Sequence, residues 1–284
     1  MRILLTGITG QVGSALQSTL PPLGEIILAD RARLDLARPD SIREVVRTTK
    51  PHVIVNAAAY TAVDRAESEQ SLARSINADG PALLGEEAVR LGALLVHFST
   101  DYVFDGEKPT PYTEADVTAP VNVYGLTKLA GERAIADCGC RYLILRTSWV
   151  YAASGRNFML TMLKLARQGT PLRIVNDQFG APTSNMMIAD ALPVALHRVA
   201  ADASLEGLYH MTASGQTTWH GFANAIFTVT GDRPEVVGIP ASEYKTPARR
   251  PRNSVLDNGK LSARLGIRLP SWEDGLRQVL QSRR

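Results

Sequence analysis

The stretch RILLTGITGQVG (residues 2–13) decides the fold, because an apolar run passes through three glycines into a predicted helix over residues 11–20. Gly7 permits the tight turn, and Gly10 lets the backbone approach a pyrophosphate. Gly13 lets the helix pack closely on the strand. The pattern therefore predicts a dinucleotide site in which phosphates meet the free amides at the helix N-terminus.

Four further apolar runs repeat the strand signal in the first half of the chain. They lie at residues 25–29, 52–56, 94–98 and 142–146. Helices are predicted over residues 41–49, with Asp40 or Ser41 as the N-cap, and over residues 81–91. Continuous apolar strands that alternate with helices indicate a parallel sheet covered on both faces. The predicted fold class is α/β, with a Rossmann-type doubly wound parallel sheet.

The second half is divided by prolines and glycines, among them Pro193 and Gly207. Helices are predicted there over residues 158–167, 187–199 and 218–228. We predict a dinucleotide-binding domain over residues 1–150. Residues 151–284 are predicted to form mainly a smaller substrate-binding lobe, interleaved with segments that return to the sheet domain.

Composition excludes several classes of protein. The 284 residues carry 31 Lys and Arg against 28 Asp and Glu, a net charge of +3 that is too small to indicate a nucleic-acid or membrane-surface partner. No stretch approaches the roughly 18 consecutive apolar residues of a membrane-spanning helix. The first apolar run ends at a glycine too early for a secretory signal. We expect a soluble, cytoplasmic protein with no nucleic-acid and no membrane partner.

Charged residues after the second strand bear on the choice of cofactor. Asp30 can bind the ribose hydroxyls of adenosine, which favours NAD. Arg31 and Arg33 can instead pair with the 2′-phosphate of NADP. Asp35 and Leu36 are expected against the adenine. The residues leave both NADH and NADPH open.

Tyr124 and Lys128 are spaced to share one face of a helix. A nearby ammonium favours the phenolate, so we expect the tyrosine pKa to fall below about 10. Such a tyrosine can exchange a proton with a carbonyl or an alkoxide. Thr100 and Asp101 directly follow the fourth strand, at the edge of the sheet where ligands bind, and a hydroxyl there can orient a substrate carbonyl.

Other polar clusters give weaker evidence of function. Arg249, Arg250 and Arg252 are either a clamp on a diphosphate or a solvated loop. The five histidines lack metal-ligand spacing, and Cys138 and Cys140 lack the C-x-x-C spacing of a zinc or redox site. We therefore predict no metal site. The absence of a G-x-S-x-G motif argues against an α/β-hydrolase.

Five longer motifs extend over nearly the whole chain. They are STDYVFDG (99–106), PVNVYGLTKLAGE (120–132), RTSWVY (146–151), NDQFGAPT (176–183) and TPARRPRNS (246–254). With them the chain resembles the dTDP-4-dehydrorhamnose reductase family, in the extended branch of the short-chain dehydrogenase/reductase superfamily. Members of that family use NADH or NADPH to reduce the 4-keto group of dTDP-4-dehydro-β-L-rhamnose, the last step of dTDP-rhamnose biosynthesis. The product supplies rhamnose for bacterial surface polysaccharides.

The resemblance implies roles for individual residues. Tyr124 corresponds to the proton donor, Lys128 to its pKa partner and ribose ligand, and Thr100 to the hydroxyl that holds the reacting oxygen. Trp149 corresponds to a residue that contacts the sugar. The expected substrate-binding set is Thr100, Asp101, Tyr124, Trp149 and Arg249.

The resemblance also implies the rest of the cofactor site and one departure. The phosphate loop corresponds to Gly10, Gln11 and Val12, and the wall beneath the cofactor to Ala58, Ala59 and Thr61. Ala15 stands where many relatives carry a glutamate that helps to hold a metal between subunits. This departure argues against a metal-bridged dimer without deciding the question, and a monomer or a homodimer remains open.

Two alternative functions stay open. An epimerase or dehydratase acting on a nucleotide sugar would share the superfamily but keep its NAD bound. A non-catalytic regulatory subunit, such as the methionine adenosyltransferase β-type relatives, would bind the cofactor without turnover. Intact Tyr124, Lys128 and Thr100 favour an enzyme over that subunit.

Overall fold

A computed structural model describes residues 1–169 and 171–283. Within these ranges, six strands form the main sheet: β1 (Arg2–Thr6), β2 (Glu25–Ala29), β3 (Val53–Asn56), β4 (Leu94–Thr100), β5 (Arg141–Thr147) and β10 (Gly207–His210). Six short strands pair outside it: β6 (Val150–Tyr151), β7 (Leu172–Val175), β8 (Phe179–Gly180), β9 (Thr183–Ser184), β11 (Thr217–Thr218) and β12 (Val236–Ile239).

The main sheet is parallel throughout, in the order β10-β5-β4-β3-β1-β2. Every residue of β3 and β4 is buried, as expected for strands covered on both faces. The strand order reverses between β1 and β3, and ligands of such sheets bind in the crevice at that point. The predicted Rossmann-type α/β fold is confirmed.

The helices of the first half are α1 (Gln11–Thr19), α2 (Pro39–Thr49), α3 (Val63–Ala66), α4 (Gln70–Arg74), α5 (Gly80–Leu91) and α6 (Val123–Asp137). Those of the second half are α7 (Phe158–Ala166), α8 (Asn185–Ala201), α9 (Trp219–Thr230), α10 (Gly259–Leu265) and α11 (Trp272–Gln281). A π-helical turn (Ser75–Asp79) joins α4 to α5.

One detail of the sequence prediction is wrong. Helix α2 begins at Pro39 without a side-chain cap, since the Ser41 hydroxyl bonds the backbone of Asp35 and Arg38. Pro193 lies inside α8, within the helix predicted over residues 187–199. That helix continues through the proline because Leu192, Ala195 and the rest of its inner face are buried in the core, and this packing outweighs one lost backbone bond.

One hydrophobic core links the sheet to the second half of the chain. It joins Leu5 and Val55 of the central strands to Phe222 of α9 and Trp272 of α11. Strand β10, far along the sequence, completes the sheet beside β5. The second half thus contributes both to the sheet and to the helices that pack against it. The proposed domain boundary at residue 150 remains a prediction.

Candidate active site

The glycine loop joins β1 to α1 under tight steric limits. Gly7 has φ 66°, in the left-handed region, and a Cβ there would lie 2.5 Å from the Ala57 carbonyl carbon. A Cβ on Gly13 would lie 2.2 Å from the Gly7 carbonyl oxygen. Both positions therefore require glycine, for the turn and for the close packing of α1 on β1.

The N-terminus of α1 is left open for an anion. Its N-cap, Gly10, supplies no side-chain cap, and Ser14 donates to the Gly10 carbonyl at 2.9 Å. The amides that precede Ser14 in the first turn are thus available to phosphate oxygens. Gln11 is held from the second half, because Asn157 donates to its side chain and Asn185 to its carbonyl.

A cleft of about 850 Å³ runs from this loop along the carboxyl edge of the sheet. It brings together most of the predicted site residues, which are Gly7, Gly10, Gln11, Val12, Asp35, Leu36, Ala58, Ala59, Thr61, Thr100, Asp101, Tyr124, Lys128 and Trp149. The small side chains of residues 57–59 and the glycine loop leave room for a dinucleotide. The free amides at the N-terminus of α1 and the small residues of the cleft therefore fit a nicotinamide cofactor.

Helix α6 places Tyr124 and Lys128 on the cleft. Asn122 caps the helix by accepting from the Gly125 amide at 2.8 Å, and its own amide donates to the Arg249 carbonyl. Tyr124 is half-buried, with its ring edge-on to Tyr102 at a centroid distance of 5.8 Å. The second half of the chain thus fixes the helix that carries the catalytic candidates.

The pKa of Tyr124 differs from the sequence expectation. Burial raises it to about 12, the neighbouring Thr100 hydroxyl opposes the rise, and the Asp101 charge adds to it. The predicted lowering by Lys128 is therefore wrong, because loss of solvent around the phenol outweighs the lysine. Burial also lowers the pKa of Lys128 to about 8, against the attraction of Glu132.

Thr100 and Asp101 form the wall beside Tyr124. The Thr100 hydroxyl donates to Asp101 Oδ1 at 2.9 Å and accepts from the Tyr102 amide at 3.2 Å. Among the described residues, Asp101 Oδ2 is buried without a hydrogen-bond partner. Burial raises the pKa of Asp101 to about 7, although the neighbouring Ser254 and Thr100 hydroxyls oppose the rise.

Trp149 is held in an uncommon geometry at the other side of the cleft. Its φ is 48°, left-handed for a bulky residue. The indole stacks on Trp219, with ring centroids 3.5 Å apart and planes 5° apart. Trp219 also lines the cleft, although no sequence motif pointed to it. Trp219 lies far from the RTSWVY motif in the sequence, so only the fold shows that it stacks on Trp149.

The structure shows which of the charged residues after β2 lie at the end of the cleft where the adenosine is expected. Arg31 lines the cleft and pairs with Asp35 at 3.3 Å. Asp30 lies outside the residues that line the cleft, and its carboxylate accepts from the Arg33 amide at 2.9 Å. The Arg33 guanidinium bonds the Leu28 carbonyl at 2.8 Å. Of the two arginines, Arg31 is therefore the one beside the cleft.

The arginine cluster of the second half lies apart from the cleft lining. The exposed Arg249 guanidinium pairs with Glu107 at 3.1 Å, and Arg250 pairs with Asp64 at 2.9 Å. The structure thus does not bring Arg249 to the other predicted substrate residues.

Over residues 1–169 and 171–283, no helix is long and apolar enough to cross a membrane. The same described residues contain no group of three or more acidic, histidine or cysteine side chains placed to hold a metal ion.

Comparison with known proteins identifies the family. The family model described as the RmlD substrate binding domain matches residues 1–284. The chain belongs to this family. A dTDP-4-dehydrorhamnose reductase of Burkholderia thailandensis is 50% identical, over 96% of this chain and 95% of the relative. The protein of the same name from Escherichia coli strain K12 is 44% identical, over 99% of this chain and 97% of its own length.

Solved structures agree with the sequence relatives. The crystal structure of dTDP-4-dehydrorhamnose reductase from Bacillus anthracis, in complex with NADP, superposes with a TM-score of 0.94 at 36% identity and covers 99% of both chains. A UDP-glucose 4-epimerase of Thermus thermophilus, solved with NAD, gives a TM-score of 0.82 at 22% identity, over 99% of this chain and 98% of its own. That second likeness concerns the fold alone.

Proposed function

We propose that the chain is an NAD(P)H-dependent reductase of the 4-keto group of dTDP-4-dehydro-β-L-rhamnose, yielding dTDP-β-L-rhamnose. The observation that carries the proposal is that Tyr124, Lys128 and Thr100 meet the glycine loop in one cleft. Relatives that match over 95% and 97% of their length bear the name of this reductase. The nearby structure with NADP supports the cofactor class.

The chain's own residues would hold the cofactor along the cleft. The open first turn of α1 would bind the diphosphate, and Ala58, Ala59 and Thr61 would form the wall under the rest. Lys128 would reach the nicotinamide ribose. When bound, the reduced nicotinamide supplies the hydride that reduces the ketone.

Tyr124 is the proton donor in this proposal. Its pKa of about 12 keeps the phenol protonated at neutral pH, which is the form that a reduction needs. The Thr100 hydroxyl would hold the ketone oxygen beside the phenol, and Trp149 would contact the sugar ring. General acid catalysis of this kind contributes about 10²–10⁴-fold, and orientation of the reactants supplies much of the remaining rate.

The test is the absorbance of NADH or NADPH on mixing the purified chain with dTDP-4-dehydrorhamnose in its correct epimer. Stoichiometric loss of the reduced cofactor, with dTDP-rhamnose formed, supports the reductase. Conversion of a nucleotide sugar without net loss of cofactor would instead indicate an epimerase or dehydratase. Cofactor binding without turnover of any ketosugar would favour a regulatory subunit.

We also propose a cytoplasmic location and a monomer or homodimer without a bridging metal. The location follows from the proposed reaction, whose nucleotide sugar and reduced cofactor are cytoplasmic metabolites. Ala15 supports the lack of a bridging metal, since a methyl group offers no metal ligand. Cell fractionation and sedimentation with and without a chelator test the two statements.

A further inference from the structure

A second tryptophan, Trp219, reaches the cleft through the fold of the second half. Strand β11 pairs antiparallel with β8, and Thr217 lies opposite Gly180. Trp219 follows β11 as the first residue of α9, and Thr218 caps that helix by accepting from the Gly221 amide at 3.0 Å. The strand pairing and the cap therefore place Trp219 at the cleft, beside β8.

The indole of Trp149 is held by residues of the second half. A Cβ on Gly180 of β8 would lie 2.3 Å from Trp149 Cε2, so only glycine leaves room for the ring. The face of the ring lies on Trp219 of α9, with centroids 3.5 Å apart and planes 5° apart. Phe158 of α7 packs on Trp219 in turn, at a centroid distance of 4.7 Å. Contacts from separate elements therefore set the orientation of the Trp149 ring.

Neither the stack nor the backbone of Trp149 is the arrangement that an isolated tryptophan prefers. Two aromatic rings favour an offset or edge-to-face geometry over the nearly complete overlap of Trp149 and Trp219. A left-handed φ of 48° is also unfavourable for a bulky side chain. Such conformations persist only where the surroundings determine them, and they concentrate at ligand sites. Both features indicate that the fold fixes the angle of the Trp149 ring for a function.

We propose that Trp219 is a positioning residue for the sugar nucleotide, because it holds the Trp149 ring at the angle at which that ring meets the sugar. This inference rests on the proposed reductase function, in which Trp149 contacts the sugar. Thr100 and Tyr124 line the same cleft and act on the ketone. An indole can donate a hydrogen bond but cannot serve as an acid or a base near neutral pH, so Trp219 acts on binding and not on proton transfer.

Loss of the Trp219 ring should leave the cofactor end of the cleft intact. Asn157, next to Phe158 in the chain, donates to the Gln11 side chain of the phosphate loop at 3.1 Å. Asn157 also donates to the Ala152 carbonyl at 2.9 Å and accepts from the Leu160 amide at 3.0 Å. None of these bonds involves Trp219. KM for NADPH should therefore change by less than about twofold when Trp219 is replaced.

Steady-state kinetics test this division between substrate and cofactor. Trp219→Leu keeps an apolar side chain against Phe158 but removes the flat ring, so KM for the ketosugar should rise about 5- to 10-fold. The value of kcat should stay within about threefold, since a contact made equally in the ground and transition states affects KM alone. Trp219→Phe restores a flat ring and should recover most of the affinity. An unchanged KM for the ketosugar in Trp219→Leu, or an equal rise in both KM values, would overturn the proposal.

Trp272→Phe is the matched control. The chain has three tryptophans, and Trp272 lies in the hydrophobic core, outside the lining of the cleft. Its replacement should leave both KM values unchanged. In that variant, all tryptophan emission comes from the stacked pair of Trp149 and Trp219, so fluorescence reports on the proposed site alone.

A fluorescence titration measures binding without turnover. dTDP-rhamnose is added to the Trp272→Phe chain with NADP⁺ at a fixed saturating level, and Kd is read from the change in emission. Adding Trp219→Leu to this chain should raise Kd about 5- to 10-fold. An unchanged Kd, or emission that does not respond to dTDP-rhamnose, would overturn the proposal. If the unaltered chain does not reduce the ketosugar, the proposed function fails, whereas the titrations still decide the role of Trp219.

Discussion

The two ends of the cleft are built by different physical means. At the catalytic end, Thr100, Asp101 and Lys128 are buried and held by packed strands and by α6. At the adenosine end, Asp30 and Arg31 are exposed, and they are held by single hydrogen bonds or ion pairs of a surface loop. Burial amplifies electrostatic effects, and solvent screens them. Substitutions should therefore have large effects at the first end and small ones at the second.

The largest effect is expected at Tyr124. Tyr124→Phe removes the proton donor but keeps the ring that packs edge-on to Tyr102, so kcat should fall by about 10²–10⁴-fold. Thermal unfolding and cofactor binding, measured alongside turnover, should stay close to those of the unaltered chain. Turnover near the normal rate in this variant would remove Tyr124 from the role of proton donor.

The buried carboxyl of Asp101 should make stability depend on pH. Its pKa is about 7 in the fold against 3.8 in a model compound, so the folded state holds the proton more tightly. Its contribution is complete below about pH 4 and is lost as the pH rises through 7. Asp101→Asn keeps the shape without the charge. Relative to this variant, the unaltered chain should lose on the order of 2 kcal/mol of unfolding free energy between pH 5 and pH 8. Urea titrations at both pH values give the free energies of unfolding. An equal change with pH in the unaltered chain and in Asp101→Asn would contradict the prediction.

A smaller effect is expected at the adenosine end. Arg31→Ala should raise KM for NADPH about 5- to 10-fold and leave KM for NADH nearly unchanged, because only the 2′-phosphate needs the guanidinium. Arg33→Ala is the matched control, since that guanidinium bonds the Leu28 carbonyl instead. An equal loss for both cofactors in Arg31→Ala would show that Arg31 does not read the phosphate.

The smallest effect is expected at Arg249. Its ion pair with Glu107 joins two side chains that are 69% and 68% exposed, so Arg249→Ala should change stability by less than about 0.5 kcal/mol. The Asn122 cap uses the Arg249 carbonyl and survives the substitution. We expect KM for the sugar nucleotide to stay within about twofold. A tenfold rise in KM would return Arg249 to the substrate site.

The sequence was sufficient for the parts of the fold that local patterns determine. Strands β1 to β5 lie within two residues of the predicted runs, because buried parallel strands are continuous apolar segments. Strand β10 reads GLYH and is too short and mixed to be recognised alone. The π-helical turn at Ser75–Asp79 and the preceding helix α4 were not predicted, since the predicted helix begins only at residue 81.

The sequence was less informative about those features of the site that depend on contacts between residues far apart in the chain. The motifs located Tyr124, Lys128 and Thr100, which the structure brings to one cleft. They could not give the direction of the Tyr124 pKa, because spacing along a helix says nothing about lost solvent. The stacking of Trp149 on Trp219 and the pairing of Arg249 with Glu107 join residues far apart in the chain, and only the fold brings them together.

In the proposed reaction, the reduced nicotinamide held in this cleft transfers a hydride to C4 of a dTDP-linked ketosugar. The most direct measurement uses NADPH deuterated at the transferable position of the nicotinamide, with product isotopes read by mass spectrometry and NMR. We predict dTDP-rhamnose that carries one deuterium at C4 for each cofactor oxidised. Product without deuterium at C4, or cofactor that stays reduced while the folded chain is saturated with substrate, would contradict the proposed hydride transfer.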